Sequence, residues 1–473
     1  MRHAVLVLAA AAALAGCATG PRYVRPTADI PEGYQEGAAA LAPPAPGWKV
    51  AAPGEAQRGA WWQVYHDPQL SALEAKVSGS NQTVARAVAT LKEAKAAVGE
   101  ARAQYFPTIG AGAAVDRTHT SLNTSGSLAG RTVTDYSAAL TASWEPDLFD
   151  KVGHTVDAAS ARAEASEADL AAIELSLHAE LAVDYFDLRQ VDAQSALLQQ
   201  TITAYAQALD LVQQRFAAGV GSEYDVAQAQ TQLDSTRSQL TDLGVSRAAL
   251  EHAIATLIGV PASEFSLPPN PAQPAPPDVP AGVPSQLLER RPDIAAAERR
   301  VAAANADVGQ ATAAFFPDLM LAAARGFDSY NFGNLLTLPS RFWAVGPALV
   351  ATLFDGGTRH ARLKASEASY DASVADYRQA VLVSFQEVED NLAALRVLDD
   401  EARTEDSAVA ESQHALELVT DRYRAGANDY LSVVIGQTTA LSNERQATAI
   451  AGRRLDASVL LIKALGGSWD GGV

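Results

Sequence analysis

The stretch Val98-Gly99-Glu100-Ala101-Arg102-Ala103-Gln104-Tyr105-Phe106-Pro107 returns as Val308-Gly309-Gln310-Ala311-Thr312-Ala313-Ala314-Phe315-Phe316-Pro317, six of ten positions identical at an offset of 210. Leu148-Phe149-Asp150 returns as Leu353-Phe354-Asp355 at an offset of 205. Arg215-Phe216-Ala217-Ala218-Gly219 returns as Arg422-Tyr423-Arg424-Ala425-Gly426 at 207, and Ile258-Gly259 as Leu465-Gly466 at the same offset. Four collinear matches define a unit of about 207 residues written twice. Between the copies, Pro261 to Pro284 holds nine prolines in 24 residues. That density excludes helix and a sheet interior and reads as a linker.

Within each copy the periodicity changes in the same order. Asn81–Tyr105 and Pro292–Phe315 are Ala-rich and helical, and Pro107 and Pro317 stop them. Two alternating stretches follow, separated by a turn-rich loop, and then a very long helical segment, about Val152–Ala217 or Gly357–Arg424. The long segments break at Gly219-Val220-Gly221 and Gly426-Ala427-Asn428, before further helices over Ser222–Ile258 and Asn428–Leu465. At 1.5 Å per residue, Val152–Ala217 is about 99 Å long, and Asn81–Tyr105 with Ser222–Ile258 comes to about 93 Å. In each copy two shorter helices stacked end to end are therefore expected beside one long helix, as an elongated coiled-coil-like rod.

The alternating stretches are strand candidates. From Tyr136 to Glu145 the even positions are Tyr136, Ala138, Leu140, Ala142 and Trp144, and the odd ones are small or polar. Ile109–Asp116 alternates in the same way and Asp318–Ala323 more weakly, and Trp343, Val345, Pro347, Leu349, Ala351 and Leu353 give the fourth. Ten residues is the length of a membrane strand. Tyr136, Trp144, Phe342 and Trp343 are then candidates for an interfacial girdle, with loops at about Arg117–Thr132 and Gly326–Arg341. Alternation alone also fits a soluble sheet. If the strands are in a membrane, four cannot close a barrel and an open edge in lipid is forbidden, so several chains must share one barrel. Two chains give eight strands with a filled interior, and three give twelve with a lumen.

The composition removes other classes. Asp and Glu number 55 against 36 Lys and Arg, a formal charge of −19, which argues against a nucleic-acid partner. With one cysteine there is no intramolecular disulfide and no Cys-based zinc site. The eight histidines form no HxH or HExxH pair, and no P-loop, G-x-S-x-G or supported S-x-x-K motif is present. Gly110-Ala111-Gly112 lacks the third glycine and the helix of a dinucleotide site. Nothing supports catalysis or a cofactor.

The lone cysteine names the compartment. Met1-Arg2-His3 precedes an apolar run of 12 residues, Ala4–Ala15, too short for a membrane span and right for a signal-peptide core. It ends in Leu14-Ala15-Gly16-Cys17, a lipobox, so Cys17 is the expected lipid attachment site, with cleavage after residue 16. Ala18, not Asp, follows the cysteine, which fits sorting to the outer membrane. No stretch reaches 18 consecutive apolar residues, so a membrane crossing requires strands.

The ordered set of short motifs resembles the TolC-like outer-membrane efflux protein family (the outer-membrane factors), in its lipoprotein branch. It comprises Cys17 followed by Pro21-Arg22-Tyr23-Val24-Arg25-Pro26, Trp61-Trp62 with Asp67-Pro68-Gln69-Leu70, Leu287-Leu288-Glu289-Arg290-Arg291-Pro292-Asp293-Ile294, and the Phe-Pro pairs. It continues with Leu353-Phe354-Asp355-Gly356-Gly357 and Arg422-Tyr423-Arg424-Ala425-Gly426 and closes with Ala464-Leu465-Gly466-Gly467-Ser468-Trp469. The resemblance implies a membrane α+β fold with internal duplication: a trimeric 12-stranded outer-membrane β-barrel, four strands per chain, continuous with a long periplasmic α-helical barrel. It also implies a passive exit duct lodged in outer-membrane lipid, working with a periplasmic adaptor protein and an inner-membrane pump. A periplasmic coiled-coil structural lipoprotein without a pore is the alternative. The expected division is a signal peptide over 1–16, a lipid-anchored segment over 17–80, repeats over 81–260 and 285–467, the linker 261–284 and a tail over 468–473.

Within that resemblance the turns at Gly219, Gly221 and Gly426, with Arg215 and Arg422, are expected at the periplasmic tip where an adaptor docks. Glu417 aligns with an acidic lining residue of the duct, Asp421 shares its helix face at i, i+4 spacing, and Asp210 holds Glu417's place in the first copy. These three are the candidate gate; a solvated outer face is the alternative. An acidic residue at Asp225 can tie the closed tip together in the family, but its partners there align with Gln413 and Ala408. Capping in the box Ser222-x-x-Asp225 is therefore its expected role. Arg290, Arg291, Arg299 and Arg300 are expected as solvated helix-face charges in salt bridges. Cells fed labelled palmitate are expected to label the wild-type chain and not Cys17→Ser, with export reduced rather than abolished; an unlabelled wild type would exclude the anchor.

Overall fold

The computed structural model describes residues 19–28, 30–31, 33–36, 59–123, 128–277 and 290–467. The expected signal peptide, Cys17, the expected linker beyond residue 277, Leu287–Glu289 and the tail from Ser468 lie outside them. Among the described residues seven α-helices and four strands carry the fold: α1 Pro68–Ser80, α2 Gln82–Ala103, β1 Thr108–His119, β2 Thr132–Trp144, α3 Lys151–Ala217, α4 Glu223–Leu257, α5 Pro292–Ala313, β3 Asp318–Ser329, β4 Arg341–Val350, α6 Thr358–Arg424 and α7 Tyr430–Ala464. The duplication is metrical. α2 and α5 have 22 residues each, α3 and α6 have 67, and α4 and α7 have 35. α1 was not anticipated, although Asp67-Pro68 announces it: the Asp67 side chain accepts from the N–H groups of Gln69 and Leu70, and proline opens the helix.

Contacts divide the chain into two compact units. One holds Thr90–Ser166 and Ala296–Tyr377 with the N-terminal residues up to Thr27. Its centre is an antiparallel sheet in the order β1-β2-β3-β4, leaving β1 and β4 as edges. The strands run further into the loops than their apolar alternation does: Arg117–His119 pair with Thr132–Thr134, and Gly326–Ser329 pair with β2 and β4 residues. Polar side chains do not interrupt a backbone ladder, so the expected loops at 117–132 and 326–341 shorten. β4 stops at Val350, so Ala351 and Leu353 fall outside it. Phe342, expected in one girdle with Trp343, lies on the opposite face because consecutive strand residues alternate. The N-terminal segment straps this unit: the Thr19 hydroxyl donates to the Phe149 carbonyl at 2.6 Å, and Asn305 Nδ2 donates to the Pro21 carbonyl at 3.1 Å.

The other unit holds Ala28–Ala89, Glu167–Ala295 and Arg378–Val473. Its main core draws on both copies: Leu70 and Val77 of α1, Leu181, Tyr185 and Phe186 of α3, Ile254 of α4, and Leu455 and Val459 of α7, all buried. Each copy stacks its two shorter helices through one recurring joint. Asn81 Nδ2, just before α2, donates to the Leu257 carbonyl that ends α4, at 2.8 Å. Arg291 Nη1, just before α5, donates to the Ala464 carbonyl that ends α7, at 3.2 Å. Gly259 and Gly466 turn away from these ends at φ 70° and 91°. Arg291 is therefore not a solvated charge. It is buried, and pairs with Asp293 at 2.7 Å and Glu387 at 2.5 Å. Arg299 does pair as expected, with Glu298 and with Glu164 at 3.1 Å.

The first residues of the proline-rich stretch are fastened rather than free. Arg189 and Asp192, both buried on α3, reach the Pro268 carbonyl at 3.3 Å and the Asn270 N–H at 2.8 Å. Arg247 of α4 bonds Asp192 at 2.9 Å and the Leu267 carbonyl at 2.7 Å.

The same unit carries carboxylates with little compensation. Burial, followed by the charges of Asp187 and Asp184, pushes Asp456 up to about 7, and its Oδ1 has no hydrogen-bond partner among the described residues. Burial, with Glu180 and Asp187, pushes Asp184 up to about 6. A carboxyl raised in the folded state favours folding when protonated. That contribution is lost as pH rises from the ordinary carboxylate value near ~4 through about 7. Asp456→Asn is expected to raise the unfolding temperature at pH 8, with the gain vanishing near ~4; thermal melts across pH check this, and a pH-independent gain would contradict it.

Candidate functional site: the helix-turn tip and the two-faced sheet

The two glycine turns expected at the tip are the same local structure. Gly219 and Gly426 follow the long helices at φ 76° each, a left-handed conformation that glycine adopts without Cβ cost. At the first turn the Gly219 N–H donates to the Phe216 carbonyl at 2.9 Å and the Val220 N–H to the Arg215 carbonyl at 3.0 Å. At the second, Gly426 donates to Tyr423 at 2.9 Å and Ala427 to Arg422 at 2.8 Å. Both are Schellman caps. Gly221 is a tight fit rather than a positive-φ position, since a Cβ there would meet the Phe216 nitrogen at 3.1 Å. α4 then starts with the capping box anticipated for Ser222 and Asp225: the Ser222 hydroxyl accepts from the Asp225 N–H at 3.1 Å, and Asp225 accepts from the Ser222 N–H at 3.2 Å. In the second copy Asp429 caps α7, accepting from the Ser432 N–H at 3.1 Å.

Behind the turns a small core joins the copies: Tyr205, Leu209 and Val212 of α3, Leu233 of α4, Tyr423 of α6, and Tyr430 and Val433 of α7. Burial pushes Tyr430 up to about 12. Arg215 and Arg422, equivalent in sequence, part company here. Arg215 lies over the Tyr423 ring at 4.8 Å and donates to the Tyr423 carbonyl at 3.3 Å, while Arg422 is exposed. The asymmetry follows from the neighbouring residue, since Tyr423 is buried and its counterpart Phe216 is exposed.

The candidate gate residues all sit on exposed surface of this chain. Glu417 and Asp421 are 74% and 64% exposed in their side chains. Each has a basic neighbour on its own helix: His414 Nδ1 is 3.9 Å from Glu417, and Arg424 is 3.1 Å from Asp421. Asp210 accepts from Gln214 Nε2 at 2.7 Å. Where the family's closing partners would align, Gln413 instead bonds Glu444 of α7, and the Ala408 carbonyl accepts from Asn443 at 3.3 Å. Those positions tie α6 to α7 within one chain.

The register sorts the sheet into two faces. One carries Ile109, Ala111, Ala113 and Val115 of β1, Tyr136 to Trp144 at even positions of β2, Leu319, Leu321 and Ala323 of β3, and Trp343, Val345, Pro347 and Leu349 of β4. The other carries glycine, alanine, serine, threonine and aspartate almost throughout. Tyr136 and Trp144 bound nine residues of β2, the run a tilted membrane strand needs. Among the described residues no helix is long and apolar enough to cross a membrane, and no cluster of side chains could hold a metal.

One feature was missed in the sequence. Glu74, fully buried, bonds His178 Nδ1 at 2.6 Å, and His178 stacks on Trp62 at 4.5 Å. Burial pushes Glu74 up to about 7 against the opposing pull of His178. A carboxylate on one helix and a histidine 104 residues away carry no motif.

Residues 75–260 and 283–467 match the family described as outer membrane efflux protein. The chain is 31% identical to outer membrane protein OprJ of Pseudomonas aeruginosa, over 99% of this chain and 96% of that one. It is 32% identical to the pyoverdine export outer membrane protein OpmQ of the same species, over 89% and 91%. Its structure superposes on the outer-membrane channel OprN with a TM-score of 0.86 at 29% identity, covering 96% of this chain and 100% of that one. The chain belongs to the outer membrane efflux protein family. Its fold class is that of the TolC-like trimeric channels, four strands per chain with a long helical barrel.

Gly219→Ala and Gly426→Ala are each expected to cost about 1–2 kcal/mol, the price of a left-handed L-residue. Equal losses in thermal melts of the two variants would reflect the shared cap; a loss at only one would show that the turns differ.

Proposed function

We propose that this chain is the passive outer-membrane exit duct of a tripartite export system. A periplasmic adaptor would dock at the tip turns, and an inner-membrane pump would supply the energy. The observation that carries the reading is the two-faced sheet with two open edges. Ile109, Trp343 and Leu349 of the apolar face are 73%, 75% and 68% exposed, a surface that water tolerates poorly and lipid accepts. Open edges cannot persist in lipid. Three copies, pairing β4 of one with β1 of the next, close twelve strands around a lumen lined by the small, polar face. This also disfavours the alternative of a pore-free coiled-coil lipoprotein, which has no use for such a face.

Residues 81–260 and 285–467 are the two structural repeats, joined by the proline-rich stretch and preceded by a lipid-anchored segment. Cys17 is the lipid attachment site, and two residues on Thr19 is held against Phe149, five residues past the end of β2. The protein carries no catalytic role, and its only attached group is that lipid.

Glu417, Asp421 and Asp210 supply the gate charges, and three chains repeat them around one axis, so the constriction is cation-selective. Arg424 offsets Asp421 and keeps that selectivity moderate. In single-channel recordings of reconstituted trimers, Glu417→Ala with Asp421→Ala is expected to reduce cation selectivity and block by multivalent cations. Arg424→Ala is expected to raise both. Unchanged selectivity in both variants would place these residues on the outer surface; absence of any conductance from wild-type trimers would overturn the duct itself.

A further inference from the structure

The sheet sorts charge by face as well as polarity. Toward the loop end, the first residue past the apolar run on the apolar face is Arg117 on β1, Arg325 on β3 and Arg341 on β4. The carboxylates of that end, Asp116, Asp135 and Asp328, all lie on the opposite face, so the sheet places no acid on the arginines' side. All three arginines are exposed, and Arg341 Nε donates to the Leu338 carbonyl at 3.4 Å. Arg325 stands directly opposite Trp343, so Arg341 is its diagonal neighbour, roughly 7–8 Å away by strand geometry.

Beneath Arg325 the same face is concave. The two rows toward the helical end, Ala142–Ala323–Val345 and Trp144–Leu321–Pro347, line an apolar groove of about 260 Å³. Alanines form its floor, and Trp144 and Val345 flank them. A pair of cations at the head of an apolar groove matches one kind of molecule: an amphiphile with an anionic head and hydrocarbon tails. Guanidinium forks bind phosphate oxygens two at a time.

We propose that this face binds a phosphate-bearing lipid of the outer leaflet, its phosphate held by Arg325 and Arg341 and an acyl chain lying in the groove over Ala323. The proposal rests on the reading of the sheet as part of a membrane barrel. Arg117, at the edge strand, extends the collar toward the next copy.

The test uses full-length trimers in nonionic detergent and follows the temperature at which the trimer band gives way to monomer on a gel. Bis-phosphorylated lipid A is expected to raise that temperature, and dephosphorylated lipid A or inorganic phosphate to leave it unchanged. Arg325→Gln with Arg341→Gln is expected to abolish the shift while preserving the lipid-free value. The matching lysine pair, which keeps charge without the fork, is expected to retain a reduced shift and keeps the test open should the glutamine pair fail to assemble. Ala323→Leu, which fills the groove, is expected to diminish the shift. Equal shifts with phosphorylated and dephosphorylated lipid, or an undiminished shift in the glutamine pair, would overturn the site. A shift produced by inorganic phosphate alone would replace the lipid by a free anion. Wild-type chain that yields no trimer from outer-membrane fractions would instead overturn the barrel reading.

Discussion

A backbone N–H or C=O facing hydrocarbon without a partner is the cost this architecture is built around. One chain contributes four strands and leaves β1 and β4 unpaired, so the fold of the single chain is complete only as a segment of a larger closed sheet. Strand count, two-faced register and assembly are thus one requirement seen three times. The helices inherit it, since each strand pair emerges from one helix and returns into another.

The duplication answers a second requirement, that of joining helices end to end without orphaned carbonyls. Leu257 and Ala464 both end a helix with a free C=O, and both receive a side-chain donor from the residue that opens the next stacked helix. One copy uses the neutral amide of Asn81. The other uses Arg291, whose charge then needs Asp293 and Glu387. The joint is preserved while its chemistry has diverged, as it has at the tip, where Arg215 is tucked against Tyr423 and Arg422 is not.

Much of this was legible in the sequence because it depends on local rules. Glycine after a long helix, proline after Phe106 and Phe316, and period-two alternation over β2 each act within a few residues; the glycines and prolines placed their helix ends to within two residues, while the alternation located β2 without its first four residues, Thr132–Asp135. The misreadings share a different cause. The outer halves of β1 and β3 are held by the ladder alone, which leaves no hydrophobic signature at Arg117 or Asp328. Arg291 looked solvated because its partners are a helix end and a carboxylate from elsewhere in the chain. Phe342 was grouped with Trp343 by residue type when parity alone separates them. At the tip, the cap roles of Gly219, Gly426 and Asp225 could be read directly. His414 and Arg424, three residues from Glu417 and Asp421 on the same helix, were open to the same spacing rule.

The equal lengths of α3 and α6, 67 residues each, act as a ruler. Each begins just past a strand and ends in the same cap, and the two ends meet through Arg215 and Tyr423. Inserting one residue into either helix would advance its end by about 1.5 Å and swing it by about 100°, parting that contact and misaligning one turn against the other. A length change in one long helix therefore keeps the Arg215–Tyr423 contact only where the other helix changes with it.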